Sequence, residues 1–242
     1  MREIIESASF KLAPSNKIFK YNPKVGYAEM RGKRTTMEDA LIIQNNYSGL
    51  HIFAVIDGHA GSQTASITSY KLPQMITNFD VNSIANSLKD LNSFLSNQKT
   101  ADGATLALVA RRGNKLISAN IGDSRSLIVR SNGSVFPLSY DHKPYERSEL
   151  ERIREKGSFV EDMRTEGVLA ISRSLGDFAL KGVSAVPCIT EYTIEEGDYR
   201  LLIACDGVFD VISNELAGKI VISEESPSVA AHKLRNAAYA FQ

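Results

Sequence analysis

His51-Ile52-Phe53-Ala54-Val55-Ile56-Asp57-Gly58-His59 is the stretch on which the reading of this chain turns. Its short apolar run suits a buried strand. The strand holds the Asp57 carboxylate at a sheet edge, and glycine lets the backbone turn away. Leu201-Leu202-Ile203-Ala204-Cys205-Asp206-Gly207 repeats the pattern near the other end of the chain. Two carboxylates so held, distant in sequence, are what a divalent-cation site needs. Glu38-Asp39, within Arg34-Thr35-Thr36-Met37-Glu38-Asp39, adds a third acidic cluster with an arginine close by. Carboxylates with a carbonyl oxygen suit Mg2+ or Mn2+, and a guanidinium suits phosphate. Together these residue types point to cation-assisted attack on a phosphate ester. The competing reading of Asp57 and Asp206 is a turn aspartate that caps a helix.

The rest of the composition narrows the class. With 242 residues, 43% hydrophobic and 23% charged, the chain reads as one ordinary globular domain. Lys plus Arg and Asp plus Glu are 28 each, so the formal net charge is zero and a nucleic-acid partner has no support. No apolar run is long enough for a membrane span, and the first fifteen residues lack the apolar centre of a signal peptide. Two cysteines, Cys188 and Cys205, without an export signal suggest a reducing compartment, cytoplasmic or nuclear. Cys205 is expected to be a small core residue.

Residues 1–22, with breakers at Pro14 and Asn22-Pro23, read as a leader or linker. Strands are expected over 24–31, 39–45, 51–56, 105–111, 115–121, 126–130, 168–171, 186–193 and 200–205, with a hairpin turn at Asn132-Gly133. Helices are expected over 62–78 and 83–97. In the second, Ile84, Leu88, Leu91 and Leu95 form one face and Asn82 or Ser83 is the cap. Another should open at Pro144 and run through Glu155, with Leu150 and Ile153 inward and Gly157 as its stop. The last two should cover 214–221 and 228–241. One α+β domain fits this order.

Seven stretches, in order, resemble the metal-dependent protein Ser/Thr phosphatases of the type 2C family: RTTMEDA at 34–40, DGHAG at 57–61, GATLALVA at 103–110, ANIGDSRSLIVR at 119–130, DHKP at 141–144, LAISRSLGD at 169–177 and ACDGVFDVIS at 204–213. The resemblance covers roughly residues 24–213 and makes 23–242 a catalytic domain. It implies a central sandwich of two antiparallel β-sheets with helix pairs outside and a dimetal site at one edge. It also implies hydrolysis of phosphoserine and phosphothreonine in proteins with Mn2+ or Mg2+, by water activated between two ions and with no phosphoenzyme.

The same resemblance assigns roles. Asp57 would bridge both metals, with the Gly58 carbonyl on one and Glu38 and Asp206 on the second. Asp123 would serve a weaker third ion shared with Asp206, its alternative being a hairpin-turn aspartate. Arg34 would clamp the phosphate. His59 would protonate the leaving oxygen, its alternative being a histidine that only orients water or a carboxylate. Asp39 would hold metal-bound water, and Thr105 would have a structural place near the metals. Ser172, Arg173, Gly176 and Asp177 would be structural or line a flap near 145–182, and Asp141 and His142 would be turn and packing residues.

One departure stands out. The family carries a further metal ligand, the Asp of an Asp-Asn pair after its late helix, and then a final strand; no Asp-Asn pair occurs in this sequence. Either the chain is a piece of an ordinary phosphatase, or the ligand is lost and the protein is a weakened or pseudo-phosphatase that binds phosphoproteins or regulates a neighbour. The short segment between Asp57 and Gly103 marks a compact version, of the kind set within larger proteins.

Overall fold

The computed structural model describes residues 24–45 and 49–241; the leader expected over 1–22 lies outside them. Two antiparallel sheets face each other. The larger is built from β1 (Ala40–Asn45), β2 (Leu50–Ile56), β5 (Leu106–Arg112), β6 (Lys115–Ile121) and β12 (Cys188–Thr193), in the order β1-β2-β5-β6-β12. The smaller contains β7 (Arg125–Arg130), β8 (Val135–Pro137) and β13 (Asp198–Ala204), ordered β13-β7-β8. Three two-residue strands, β3 (Gly58–His59), β4 (Gly103–Ala104) and β11 (Leu175–Gly176), form a third sheet at the end of β2, and β9 (Val160–Glu161) pairs with β10 (Arg164–Thr165).

Helices α1 (Gln63–Met75) and α2 (Val81–Asn97) cover the larger sheet. On β2 burial alternates strictly, so Leu50, Ile52, Ala54 and Ile56 meet Leu72, Ile84, Leu88, Leu91 and Leu95 of the helices. Each such side chain contributes about 1.5–3 kcal/mol by leaving water. Between the sheets lie Val109, Leu116, Ile128 and Leu138, with Leu201 and Ile203 against them. After α3 (Arg147–Glu155) and the one-turn α4 (Asp206–Phe209) come α5 (Asn214–Ile222) and α6 (Pro227–Phe241). These last two cover the smaller sheet through Ala217, Val221, Leu234 and Ala238. The expected α+β sandwich with helix pairs outside is therefore the observed architecture. None of the described helices is long and apolar enough to cross a membrane.

Five local expectations are corrected. Residues 24–31 form no strand: Gly26 packs against the backbone of Pro227 and Ser228, and Arg235 takes the Glu29 carbonyl, so this stretch runs along α6 rather than a sheet edge. Residues 168–171 are a tight turn folded back on Thr165, whose hydroxyl donates to the Ile171 carbonyl. Asp80 caps α2, accepting from the Ser83 amide at 2.7 Å. Pro144 sits in a turn, and α3 starts at Arg147. The inward residues of α3 are Glu149 and Ile153, because two arginines neutralise the glutamate and let it be buried, while Leu150 is half-buried. Gly157 ends that helix as expected, at φ +69°.

Candidate active site

Strand register brings four distant segments to one edge of the sandwich. β1 pairs with β2 so that Ala40 faces Ile56, which puts Asp39 beside Asp57 one step further on. β7 pairs with β13 so that Arg125 faces Ala204, which puts Asp123 and Ser124 beside Cys205 and Asp206. The Thr105 amide donates to the Asp57 carbonyl at 2.9 Å, and its hydroxyl lies 2.6 Å from the Ser124 hydroxyl, tying the two halves together. Ligand atoms of Asp57, Cys205 and Asp206 all fall within 4.8 Å of one another. Cys205 is thus not the core residue expected: it is half-buried, its Sγ 4.0 Å from Asp39 Oδ2.

This cluster carries more negative charge than its surroundings stabilise. Burial, then the charges of Asp39 and Asp206, push Asp57 up to about 9. Asp39 rises to about 6 by burial, partly offset by its hydrogen bond to Asp57. Burial and the same three carboxylates hold the Cys205 thiol protonated. Half-buried carboxylates that cannot all ionise are the electrostatic signature of a place for a cation. Hard oxygen donors dominate it, which fits Mg2+ or Mn2+.

One cleft is lined by Arg34, Glu38, Asp39, Asp57, Gly58, His59, Thr105, Asp123 and Asp206, whereas Asp141, His142, Ser172, Arg173, Gly176 and Asp177 do not line it. Gly58 is buried at the end of the strand, with the Glu38 backbone carbonyl where its side chain would be. The Glu38 carboxylate accepts from the Thr36 hydroxyl at 2.9 Å and is not part of the three-residue ligand cluster. Arg34 stands exposed on the turn over 32–36. Asp123 is buried and paired with Lys143, whose Nζ lies 2.5 Å from Oδ2. Burial raises the Asp123 carboxyl and the ammonium draws it back, leaving a net rise.

Several residues carry more than the sequence reading assigned. Asp177, read as structural or flap-lining, lies 2.7 Å from His59 Nε2. Burial lowers the imidazole, but Asp177 outweighs it and the net shift is upward. Lys143 was not singled out. Nor was Asp210, which burial and then Asp206 push up; its place one helical turn after Asp206 was the available signal. Asp102 is buried and caps α1 from a distance, accepting from the Gln63 amide at 2.6 Å and from the Thr64 amide and hydroxyl. Asp141 holds Arg125 through two bonds, at 2.9 and 2.7 Å. His142 is buried with Nδ1 accepting from the Gly122 amide at 3.1 Å, and burial followed by Arg173 lowers it to about 4.

Comparison with known proteins agrees with this fold. A family model described as protein phosphatase 2C matches residues 24–242. Probable protein phosphatase 2C 55 of Oryza sativa subsp. japonica is 35% identical over 231 residues, covering 88% of this chain and 61% of that protein. Protein phosphatase 2C homolog 3 of Schizosaccharomyces pombe is 37% identical over 213 residues, 76% of this chain and 51% of that one. The chain thus spans about half to two thirds of the length of these relatives. Among solved structures, a sex determining protein of C. elegans superposes with a TM-score of 0.81 at 22% identity, over 92% of this chain and 62% of that one. A phosphatase from Toxoplasma gondii superposes with a TM-score of 0.78 at 24% identity, over 87% and 86%. At those identities the two structures speak for the fold alone.

Proposed function

The chain belongs to the protein phosphatase 2C family, and from that premise we propose that it hydrolyses phosphoserine and phosphothreonine esters in proteins with two Mn2+ or Mg2+ ions. The observation that carries the reading is the convergence of Asp57 and Asp206 with Asp39 beside them, a cluster of carboxylates whose mutual repulsion a bound cation would offset. Asp57, the Gly58 carbonyl, Glu38 and Asp206 would hold the ions, with Asp123 available to a weaker third. When bound, the ions supply an acidified water as nucleophile and neutralise charge on the phosphoryl group.

The chain's own residues do the rest. The planar Arg34 fork, exposed at the cleft, can take two phosphate oxygens and align the ester for in-line attack. Asp39 would hold the water bound beside Asp57 by a hydrogen bond. His59 gives a proton to the departing seryl or threonyl oxygen, a leaving group too basic to depart as an alkoxide. Substrates are phosphorylated proteins presented to this cleft.

The test is phosphate release from a phosphothreonyl peptide by the full chain with Mn2+. Turnover that is abolished by chelator and by Asp57→Ala supports the reading. A folded, Mn2+-saturated protein that binds the peptide without releasing phosphate overturns it in favour of a binding module.

A further inference from the structure

His59 and Asp177 meet across Gly103, where any side chain would displace them. In the small sheet, ordered β11-β4-β3, Gly103 of β4 pairs with His59 on one side and with Gly176 on the other. A Cβ on Gly103 would overlap both Asp177 Oδ2 and His59 Nε2. Through the space so left, the imidazole and the carboxylate approach to 2.7 Å. The Ser174 hydroxyl donates to the same Oδ2 at 2.5 Å, and the Asp177 amide donates to the Asp102 carbonyl at 3.2 Å. Asp177 also adopts φ +49°, the left-handed region that a residue with a Cβ enters at a cost. A strained, largely buried carboxylate with a supporting hydroxyl donor and a tied backbone, aimed at one ring nitrogen, is more than a turn needs.

We propose that Asp177 is the positioning residue for His59: it keeps Nε2–H as a donor to Oδ2 and so makes Nδ1 the nitrogen that delivers the proton to the leaving oxygen. The inference rests on the hydrolase reading above. In the step, a bond forms between phosphorus and the incoming water oxygen as the bond to the seryl or threonyl oxygen breaks. The bonding pair stays on that oxygen, which takes the Nδ1 proton and leaves as the alcohol. Inorganic phosphate remains, the surplus proton of the attacking water passes to solvent, and Nδ1 regains one from solvent. Asp177 takes no part in the proton transfer; it fixes the ring plane and the tautomer, as second partners of catalytic histidines do.

Leaving groups separate positioning from general structural damage. A phosphothreonyl peptide expels a strongly basic alkoxide and needs the proton, whereas p-nitrophenyl phosphate expels a stable phenolate and needs it far less. With the Mn2+-loaded full chain, Asp177→Asn should lower the ratio of peptide kcat to aryl phosphate kcat about 10- to 100-fold, the scale of losing a partner that orients a functional histidine. In the double variant with His59→Ala, the ratio should fall no further than in His59→Ala alone, because the two residues act as a unit. An unchanged ratio, with both substrates slowed in step, overturns the proposal, and so does a multiplicative loss in the double variant. If thermal melting shows Asp177→Asn unfolded, Ser174→Ala substitutes for it; a ratio lowered a few-fold supports the assignment and an unchanged one overturns it. Nitrogen NMR of the wild-type His59 ring gives a readout without turnover: a proton on Nε2 agrees, and a neutral Nδ1–H tautomer overturns it. A wild type inactive on both substrates overturns the hydrolase reading itself, and the assignment falls with it.

Discussion

Replacing Asp57 by Asn should make the metal-free protein more stable at neutral pH although it destroys the site. In the folded protein, burial and then Asp39 and Asp206 push Asp57 up to about 9, whereas in the unfolded chain it titrates near ~3.9. Between these values the native state binds the extra proton, so stability falls as pH rises through that window. At pH 7 the unfolded carboxyl has passed its pKa by about 3 units, a penalty on the order of 4 kcal/mol. Asparagine carries no charge in either state and escapes it. It gives up part of the hydrogen bonding with Asp39 and Asp206, worth about 1 kcal/mol. The remaining gain of about 2–3 kcal/mol raises Tm by roughly 5–10 °C in a domain of this size. The assay is thermal melting in chelator at pH 5 and pH 7.5: at pH 5 the penalty shrinks to about 1–2 kcal/mol and the two proteins should melt nearly together. In Mn2+ at a thousand times Kd the order should reverse, since such binding stabilises the wild type by about 4.1 kcal/mol and the variant lacks the ligand. A variant that melts below wild type at pH 7.5, or a difference that ignores pH, refutes the electrostatic account of the cluster.

Three further outcomes follow from the geometry. Glu149→Gln should destabilise the protein by about 3 kcal/mol in a denaturant titration, because Arg152 and Arg173 lose a buried partner. Burial alone would raise that carboxyl, but the two guanidiniums hold it at about 2, so the stability it contributes should be lost as pH falls from about 4 toward 2. Gly103→Ala should separate His59 from Asp177 and cut peptide turnover at least about 10-fold, with a lowered Tm, since the methyl group overlaps both partners. Arg34→Ala should raise KM for a phosphopeptide about 10-fold or more while leaving Tm within about 1 °C, because the side chain is exposed and removal of a phosphate clamp costs binding rather than folding.

Much of this was legible in the chain because it is local. Ile84, Leu88, Leu91 and Leu95 recur at helical spacing and form one buried face of α2. The apolar runs ending in Asp57 and Asp206 are strands whose ends carry the acids. Turn chemistry at Asn132-Gly133 and the stop at Gly157 follow from φ values of +84° and +69° that glycine alone takes easily. The misreadings have non-local causes. Residues 24–31 alternate like a strand, but what lies beside them is a helix from the far end of the chain. Glu149 breaks the apolar rule on α3 because Arg173, 24 residues away, neutralises it. Asp102 caps a helix 39 residues earlier in the chain, a pairing that no local spacing announces.

The sequence by itself determined the acidic residues, the strands that hold them and the family resemblance, since side-chain chemistry and hydrophobic period are written residue by residue. The tertiary structure alone decided which groups share the site. β-Register set Asp39 beside Asp57 and turned Cys205 toward the acids, and the crossing of three two-residue strands at Gly103 aimed Asp177 at His59. Those decisions belong to the folded state because a carboxylate's protonation and a histidine's orientation depend on neighbours within a few ångströms, and the chain assembles those neighbours only when its sheets close.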